Sequence, residues 1–254
     1  MTTENQQMLE RLGELTDAVH GKLGAIDSRL NAVASTWDKL RVTWFVDQAT
    51  GNDQNDGTKE APLASIQEAI NRTPPYGNPY ITVRGQYQTT ERYISWGRDV
   101  ALLAGYGADF TTNASLRTNL IVTADESAGR IALNSFGSMY RSDWTFYGFS
   151  IQVPSATALT AAHPGLSYNQ TLACFLSRSS STHGPAGGLH FTYCDIDLTN
   201  DPFGFLFSNT QGVHLVTSGV SYTNPIAGVV HPSIPSGALP KDYGHVITTN
   251  LTSL

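Results

Sequence analysis

The sequence predicts a mainly β protein that begins with a coiled-coil helix. Three observations predict it. Residues 4–40 contain no proline and space their apolar side chains by threes and fours. After Asn71 the chain breaks into short β-type runs parted by Gly, Asn, Ser and Asp, with no helical pattern among them. Charged residues make up only 14% of the chain, which suits a turn-rich β body and argues against disorder. The runs are too short for a large flat sheet. Without helices between them an α/β architecture is excluded, and solenoid, sandwich and barrel remain.

The helical seam consists of Met8, Leu12, Leu15, Val19, Leu23, Ile26, Leu30, Val33, Trp37 and Leu40. Its steps alternate between three and four, apart from a doubled four around Val19 and Leu23, which is a stutter. Gly21 and Gly24 lie beside that stutter, and each costs a helix about 1 kcal/mol. A lone helix of this composition is marginal, so association along the seam is expected to stabilise it. At 1.5 Å per residue the seam makes a rod of roughly 55 Å, long enough to overhang a globular domain. The mixture of Leu, Ile and Val along it does not fix the number of strands.

Residues 44–71 read WFVDQATGNDQNDGTKEAPLASIQEAIN. A β-type run, Trp44–Val46, leads into a loop rich in Asp, Asn and Gly, the residues that make turns. Pro62–Asn71 then reads as a short amphipathic helix with Leu63, Ile66, Ala69 and Ile70 on one face. Ser65 and Glu68 have the spacing of a capping box. This order resembles the opening motif of pectate-lyase-like right-handed β-helices, most closely the version in phage tailspikes and tail fibres. The resemblance extends through Tyr80–Val83, Gly85-Gln86-Tyr87, Tyr93–Trp96 and Asp99–Gly107.

The resemblance implies a short right-handed parallel β-helix, a solenoid whose open end the short helix caps. A terminal coil exposes a strand edge and apolar interior that need covering. It also implies a homotrimer and a place in a virion tail. Other tail or baseplate proteins would meet the N-terminus, and a host surface polysaccharide is a further partner. The expected division is a coiled-coil stem and virion-proximal tip at 1–40, a junction and cap at 41–71, a β-helix body at 72–231 and a Pro-rich tail at 232–254. Trp37, Trp44 and Phe45 would bury at a threefold collar.

Within the body, Phe149-Ser150-Ile151, Phe175, Cys194-Asp195-Ile196 and Val220-Ser221-Tyr222 recur at roughly one solenoid turn. Stretches 154–170 and 177–188 read as loops. Pro232–Pro240 holds three prolines and reads as an extended linker, with Tyr243–Leu254 as a last strand or an interchain contact. Cys174 and Cys194 are too few for a disulfide framework. They read as small buried hydrophobes, with or without stacking on neighbouring coils.

Charge and hydropathy narrow the function. The net charge is −6 and no basic run occurs, so no nucleic-acid partner is expected. No apolar run is long enough to cross a membrane, and no membrane insertion is expected. The polar start Met-Thr-Thr-Glu-Asn-Gln-Gln does not read as a secretory signal, so synthesis in a host cytoplasm is expected.

Exposed aromatics on a β surface stack on sugars. Tyr93, Trp96, Tyr140 and Trp144 are the candidates for glycan binding, with Tyr87, Tyr147 and Tyr168 beside them, and core packing is the alternative for each. Asp195 and Asp197 are the candidate catalytic residues. Two apart on a strand, they share a face about 7 Å apart, a separation that suits an inverting glycosidase. The alternative is a polar strand face, and no lyase signature is present. Thr182-His183-Gly184 and Gly187-Gly188 read as a loop. Asp47, Asp53, Asn55 and Asp56 resemble a calcium loop in composition but lack the closing glutamate, and they read as turn residues. The seven histidines show no metal-ligand spacing, and no nucleotide loop occurs, so no cofactor and no metal are expected. The expected role is structural: a phage tail fibre or spike for host recognition. A polysaccharide-depolymerising tailspike and a purely structural collar or baseplate component are the alternatives.

Overall fold

A computed structural model describes residues 3–75, 77–105, 117–139, 142–168, 174–178, 187–198, 201, 203–207, 213–222, 230–231, 233–244 and 247–254. The chain divides into two compact units, Met1–Arg41 and Val42–Leu254. The first is one helix, Thr3–Leu40. Its seam residues Met8, Leu12, Leu15, Val19, Leu23 and Ile26 are 48–63% exposed. The side chains of Leu30, Val33 and Trp37 fall outside the described ones.

The second unit is built on three parallel sheets. The first orders the strands Arg41–Asp47, Asn78–Arg84, Val100–Ala104, Trp144–Tyr147, Gly188–Thr192, Val213–Ser218 and Ile247–Thr249. The second orders Tyr87–Gln88, Thr118–Ile121, Phe149–Gln152, Asp195–Asp197 and Ser221–Tyr222. The third orders Tyr93–Trp96, Phe136–Met139, Cys174–Arg178 and Phe205–Phe207. From Asn78 to Phe207 the chain visits first, second and third sheet in turn, then starts again one strand further on. The protein is therefore mainly β, with parallel sheets and an N-terminal helix.

Alternation along each strand sends one set of side chains inward. In the first sheet Leu102, Phe146 and Phe191 are consecutive register partners, as are Val100, Trp144, Leu189 and Leu215. Leu120, Ile151 and Ile196 line up in the second sheet, and Tyr93, Phe136, Leu176 and Phe207 in the third. All are buried in one core cluster. Burying one such side chain contributes about 1.5–3 kcal/mol, so the filled interior holds the short strands together.

The helix after the opening loop is Ile66–Arg72, shorter than the sequence suggests. Leu63 is extended instead and bridges Val46 in parallel. Ser65 is the N-cap, and its hydroxyl accepts the Glu68 N–H. Ile66, Ala69 and Ile70 are buried against the core. Two of the loop acids, Asp47 and Asp53, are turn acceptors. Asp53 Oδ1 accepts the N–H groups of Ala64 and Ser65, both at 2.9 Å, and Arg72 donates to the carbonyls of Asn55 and Asp53. Asp47 accepts from Ala49, Thr50 and the Thr50 hydroxyl. The Trp44 indole donates to Thr73 Oγ1 at 2.9 Å and covers Gly57, so it is engaged within its own chain.

Four sequence expectations change. Residues 154–170 are not all loop, because Ala156–Ala162 is a helix. Ser155 caps it, and Asp201 accepts the Ala156 and Thr157 N–H groups from afar. The recurring runs split between sheets: Phe149, Asp195 and Ser221 belong to the second and Phe175 to the third. Successive turns also differ in length, since Val100 pairs with Trp144 whereas Leu189 pairs with Leu215. The Pro-rich segment is folded rather than an extended linker. Ile234, Ile247 and Leu254 join the core, Leu254 N–H donates to Ala238 O, and Pro240–Tyr243 is a turn of 3-10 helix. Cys174 and Cys194 are buried but lie on the third and at the start of the second sheet, so they do not stack. Burial pushes the Cys194 thiol up to about 11, leaving it protonated and unreactive.

One hairpin stands outside the three sheets. Thr123–Ser127 and Arg130–Asn134 pair antiparallel around Ala128-Gly129, with φ of 52° and 71°. A two-residue turn with both φ positive favours Asn-Gly or Gly-Gly. Ala128→Gly is expected to stabilise the protein by about 0.5–1 kcal/mol, since a left-handed alanine costs 1–2 kcal/mol and glycine gives part of that back in chain entropy. A urea midpoint that falls would contradict this.

Candidate functional site

Outward positions on the sheets carry the polar chemistry. On the first sheet, Asp99 and Asp143 precede the register partners Val100 and Trp144, which sets the two aspartates side by side. Asp99 Oδ1 accepts the Asp143 N–H at 2.9 Å. Asp143 Oδ1 in turn accepts the Gly188 N–H at 2.5 Å, and its Oδ2 lies 3.4 Å from His190 Nε2. The His190 and His214 rings stack at 5.4 Å and 23°. The column runs from Asp99 through Asp143 and Gly188 to His214, with His190 leaning over it.

Glycine at 188 is what leaves room for the contact. A Cβ there would stand 3.0 Å from Asp143 Oδ1 and 3.1 Å from His190 Nε2. The nearby His190 imidazole, opposed by burial and aided by the Gly188 N–H and by the charge of His214, holds the Asp143 carboxyl below its usual range. At 3.4 Å the His190 contact is poorly aligned and Nε2 has no formed hydrogen bond, so the Gly188 N–H is the firmer hold. The carboxylate–imidazole contact can relay a proton or bind a polyol hydroxyl. Among the described residues no group of three or more His, Cys, Asp and Glu is placed to hold a metal ion.

Asp195 and Asp197 share the outward face of the second sheet, on either side of buried Ile196. Asp195 is not available as a bare carboxylate. Its Oδ1 accepts from the Ser221 hydroxyl and forms an ion pair with Arg117, whose side chain is 9% exposed. Sequence spacing finds the shared face but not Arg117, which lies just before the strand Thr118–Ile121, far back in the chain.

The aromatic candidates separate. Tyr93 and Trp144 are fully buried and present no face to a sugar, which corrects the expectation for both. They belong to an interior ring stack in which Phe136 lies 5.6 Å from Tyr93 and 4.8 Å from Trp144. Tyr87 is interior as well. Its hydroxyl meets the Ile66 N–H and the Tyr93 hydroxyl, and burial pushes the phenol well up. Tyr147 packs edge-on against Tyr193. Trp96 is 54% exposed and points outward from the third sheet. Tyr140 lies outside the described residues, as do Thr182-His183-Gly184 and the side chain of Tyr168.

The column on the first sheet was legible in principle. His190 and His214 are the polar members of Leu189-His190-Phe191 and Val213-His214-Leu215, and alternation sends both outward. Their meeting with Asp143 depends on register, which the sequence does not show. No known protein family, curated protein or solved structure matches the chain.

Proposed function

We propose that the chain is a subunit of a homotrimeric phage tail fibre or tailspike. In this reading the body is a short right-handed β-helix capped by Ile66–Arg72, and the complex serves attachment to a host surface. One observation carries it. A 38-residue helix presents an apolar seam to solvent and ends where a body of stacked parallel strands begins. Such a seam is stable in water only against other copies or partner helices. Right-handed winding is the hand expected when a strand crosses to a parallel neighbour. A rigid body repeated three times suits weak surface glycans, because avidity multiplies a poor single contact. The pairing of Asp195 with Arg117 and Ser221 makes the depolymerising alternative the weaker one.

The test is the mass of the full chain in solution. By light scattering a single species of three chains is expected. Leu15→Asp together with Ile26→Asp places charges in the seam and is expected to shift it to monomer while the β-type circular dichroism persists. A wild-type monomer at micromolar concentration would sink the reading. Adsorption of the trimer to host cells, lost in the monomer, separates an attachment protein from a purely structural component.

A further inference from the structure

We propose that the outward face of the third sheet around Arg92 and Trp96 is a binding site for an acidic oligosaccharide, one bearing a carboxylate sugar. It rests on the attachment reading above and names the ligand class. Residues 92, 94 and 96 alternate with buried Tyr93 and Ser95, so Arg92, Ile94 and Trp96 point the same way. Trp96 offers an indole more than half exposed, whereas the described Trp44 and Trp144 turn theirs onto their own chain.

Arg92 is the second, independent observation. Its guanidinium lies over Gly137, where an added Cβ would stand 3.0 Å from Nε and 3.2 Å from Nη2. Nε and Nη2 are shut off from solvent with no hydrogen-bond partner, and among the described residues no carboxylate comes within ion-pair distance of Arg92. A cation left this way is costly. A paired arginine elsewhere in this chain, Arg72 with Glu68, shows the usual remedy. Arg92 as a residue is only partly buried and its charge is delocalised over the whole guanidinium, so an anion beside it is attracted without touching the sealed Nε or Nη2. Burial already weakens the hold of Arg92 on its proton, and an anion beside it would reverse that.

The two groups suit one ligand. Four residues along a strand put Arg92 and Trp96 about 13 Å apart at their backbones, the span of two or three sugar rings. Trp96 stacks on an apolar sugar face while Arg92 takes the carboxylate of a ring nearer the strand start. Ile94, partly buried, lies between them on the same face and gives an apolar floor. On a chain of net charge −6, a dedicated cation is what permits an acidic glycan to bind.

The experiment uses the full chain and two probes, a uronate hexasaccharide and the same hexasaccharide with its carboxylates reduced to alcohols. Binding is read by calorimetry and by quenching of tryptophan fluorescence. The acidic probe is expected to bind at least tenfold tighter than the reduced one. Arg92→Met is expected to abolish that preference without lowering the melting temperature, since it removes an unpaired charge and keeps the aliphatic packing. Trp96→Ala is expected to weaken both probes at least tenfold and to remove most of the quenching. Equal binding of the two probes, no binding of the acidic probe, or a preference that survives Arg92→Met would each overturn the site. Host-cell adsorption distinguishes the two levels. If wild type and Arg92→Met adsorb equally, the acidic site is wrong and attachment stands. If the intact trimer does not adsorb at all, both fall.

Discussion

Gly187→Ala is expected to prevent the body from folding. The methyl would stand 1.2 Å from the Ser142 carbonyl oxygen and 2.3 Å from its carbon, so the collision is with backbone rather than with a side chain that can swing away. Neither partner is free to move. Ser142 is buried and its hydroxyl bonds Ser95 Oγ at 2.7 Å. The next residue holds three neighbours at once: Asp143 N–H donates to Asp99, its carbonyl accepts from Val100 and its carboxylate accepts from Gly188. Relieving the clash therefore breaks the ladder between Val100–Ala104, Trp144–Tyr147 and Gly188–Thr192. A loss above about 4 kcal/mol is expected, at the far end of what single substitutions do. Gly85→Ala is the control. It has φ of +68° but open space around it, so it is expected to cost only the left-handed penalty of about 1–2 kcal/mol. Soluble yield and urea midpoints measure both. A Gly187→Ala protein melting within a few degrees of wild type would show that the strands do not approach this closely.

This glycine also marks where sequence reasoning runs out. Gly187-Gly188 reads as a loop because nothing in the sequence places Ser142 against it. The seam from Met8 to Ile26 and the cap at Ser65 were legible because helix periodicity and capping act over three or four residues. Tyr93-Ile94-Ser95-Trp96 was misread in part because the inward set of that strand includes a serine. Ser95 is tolerated inside by its bond to Ser142, so hydrophobicity alone gives no parity for the strand. Trp144-Thr145-Phe146 keeps a clean alternation, yet an aromatic residue is equally at home inside or on a sugar-binding face. Arg117 with Asp195, and Asp143 with His190, depend on register between strands far apart in the chain. The helix Ala156–Ala162 was missed because it buries no residue and so has no apolar stripe to read.

Phe146→Ala is expected to cost about 3–5 kcal/mol, the range for emptying a buried aromatic site. Phe146 is the hub of the interior rings, with Phe136 at 4.9 Å, Phe175 at 5.2 Å and Phe191 at 5.4 Å. The upper part of the range applies because the site cannot collapse. Its strand is hydrogen-bonded on both sides, to Val100–Ala104 and to Gly188–Thr192, and those ladders hold the walls apart. Tyr147→Ala, one residue on and only partly buried, empties no interior ring site and gives up its edge contact with Tyr193, so it is expected to cost less, about 1–2 kcal/mol. Equal losses from the two would refute the assignment of inward and outward faces. The larger loss should also be uneven along the body. Each strand of the first sheet is laddered to the next, so a cavity under one lowers the coupling between those before and after it. Hydrogen exchange in Phe146→Ala should therefore speed up first at Gly188–Thr192 and Val213–Ser218, while Asn78–Arg84, packed against the helix Ile66–Arg72, keeps most of its protection. Uniform acceleration across all three sheets would mean that the body unfolds as one cooperative unit and that no part of it has separate stability.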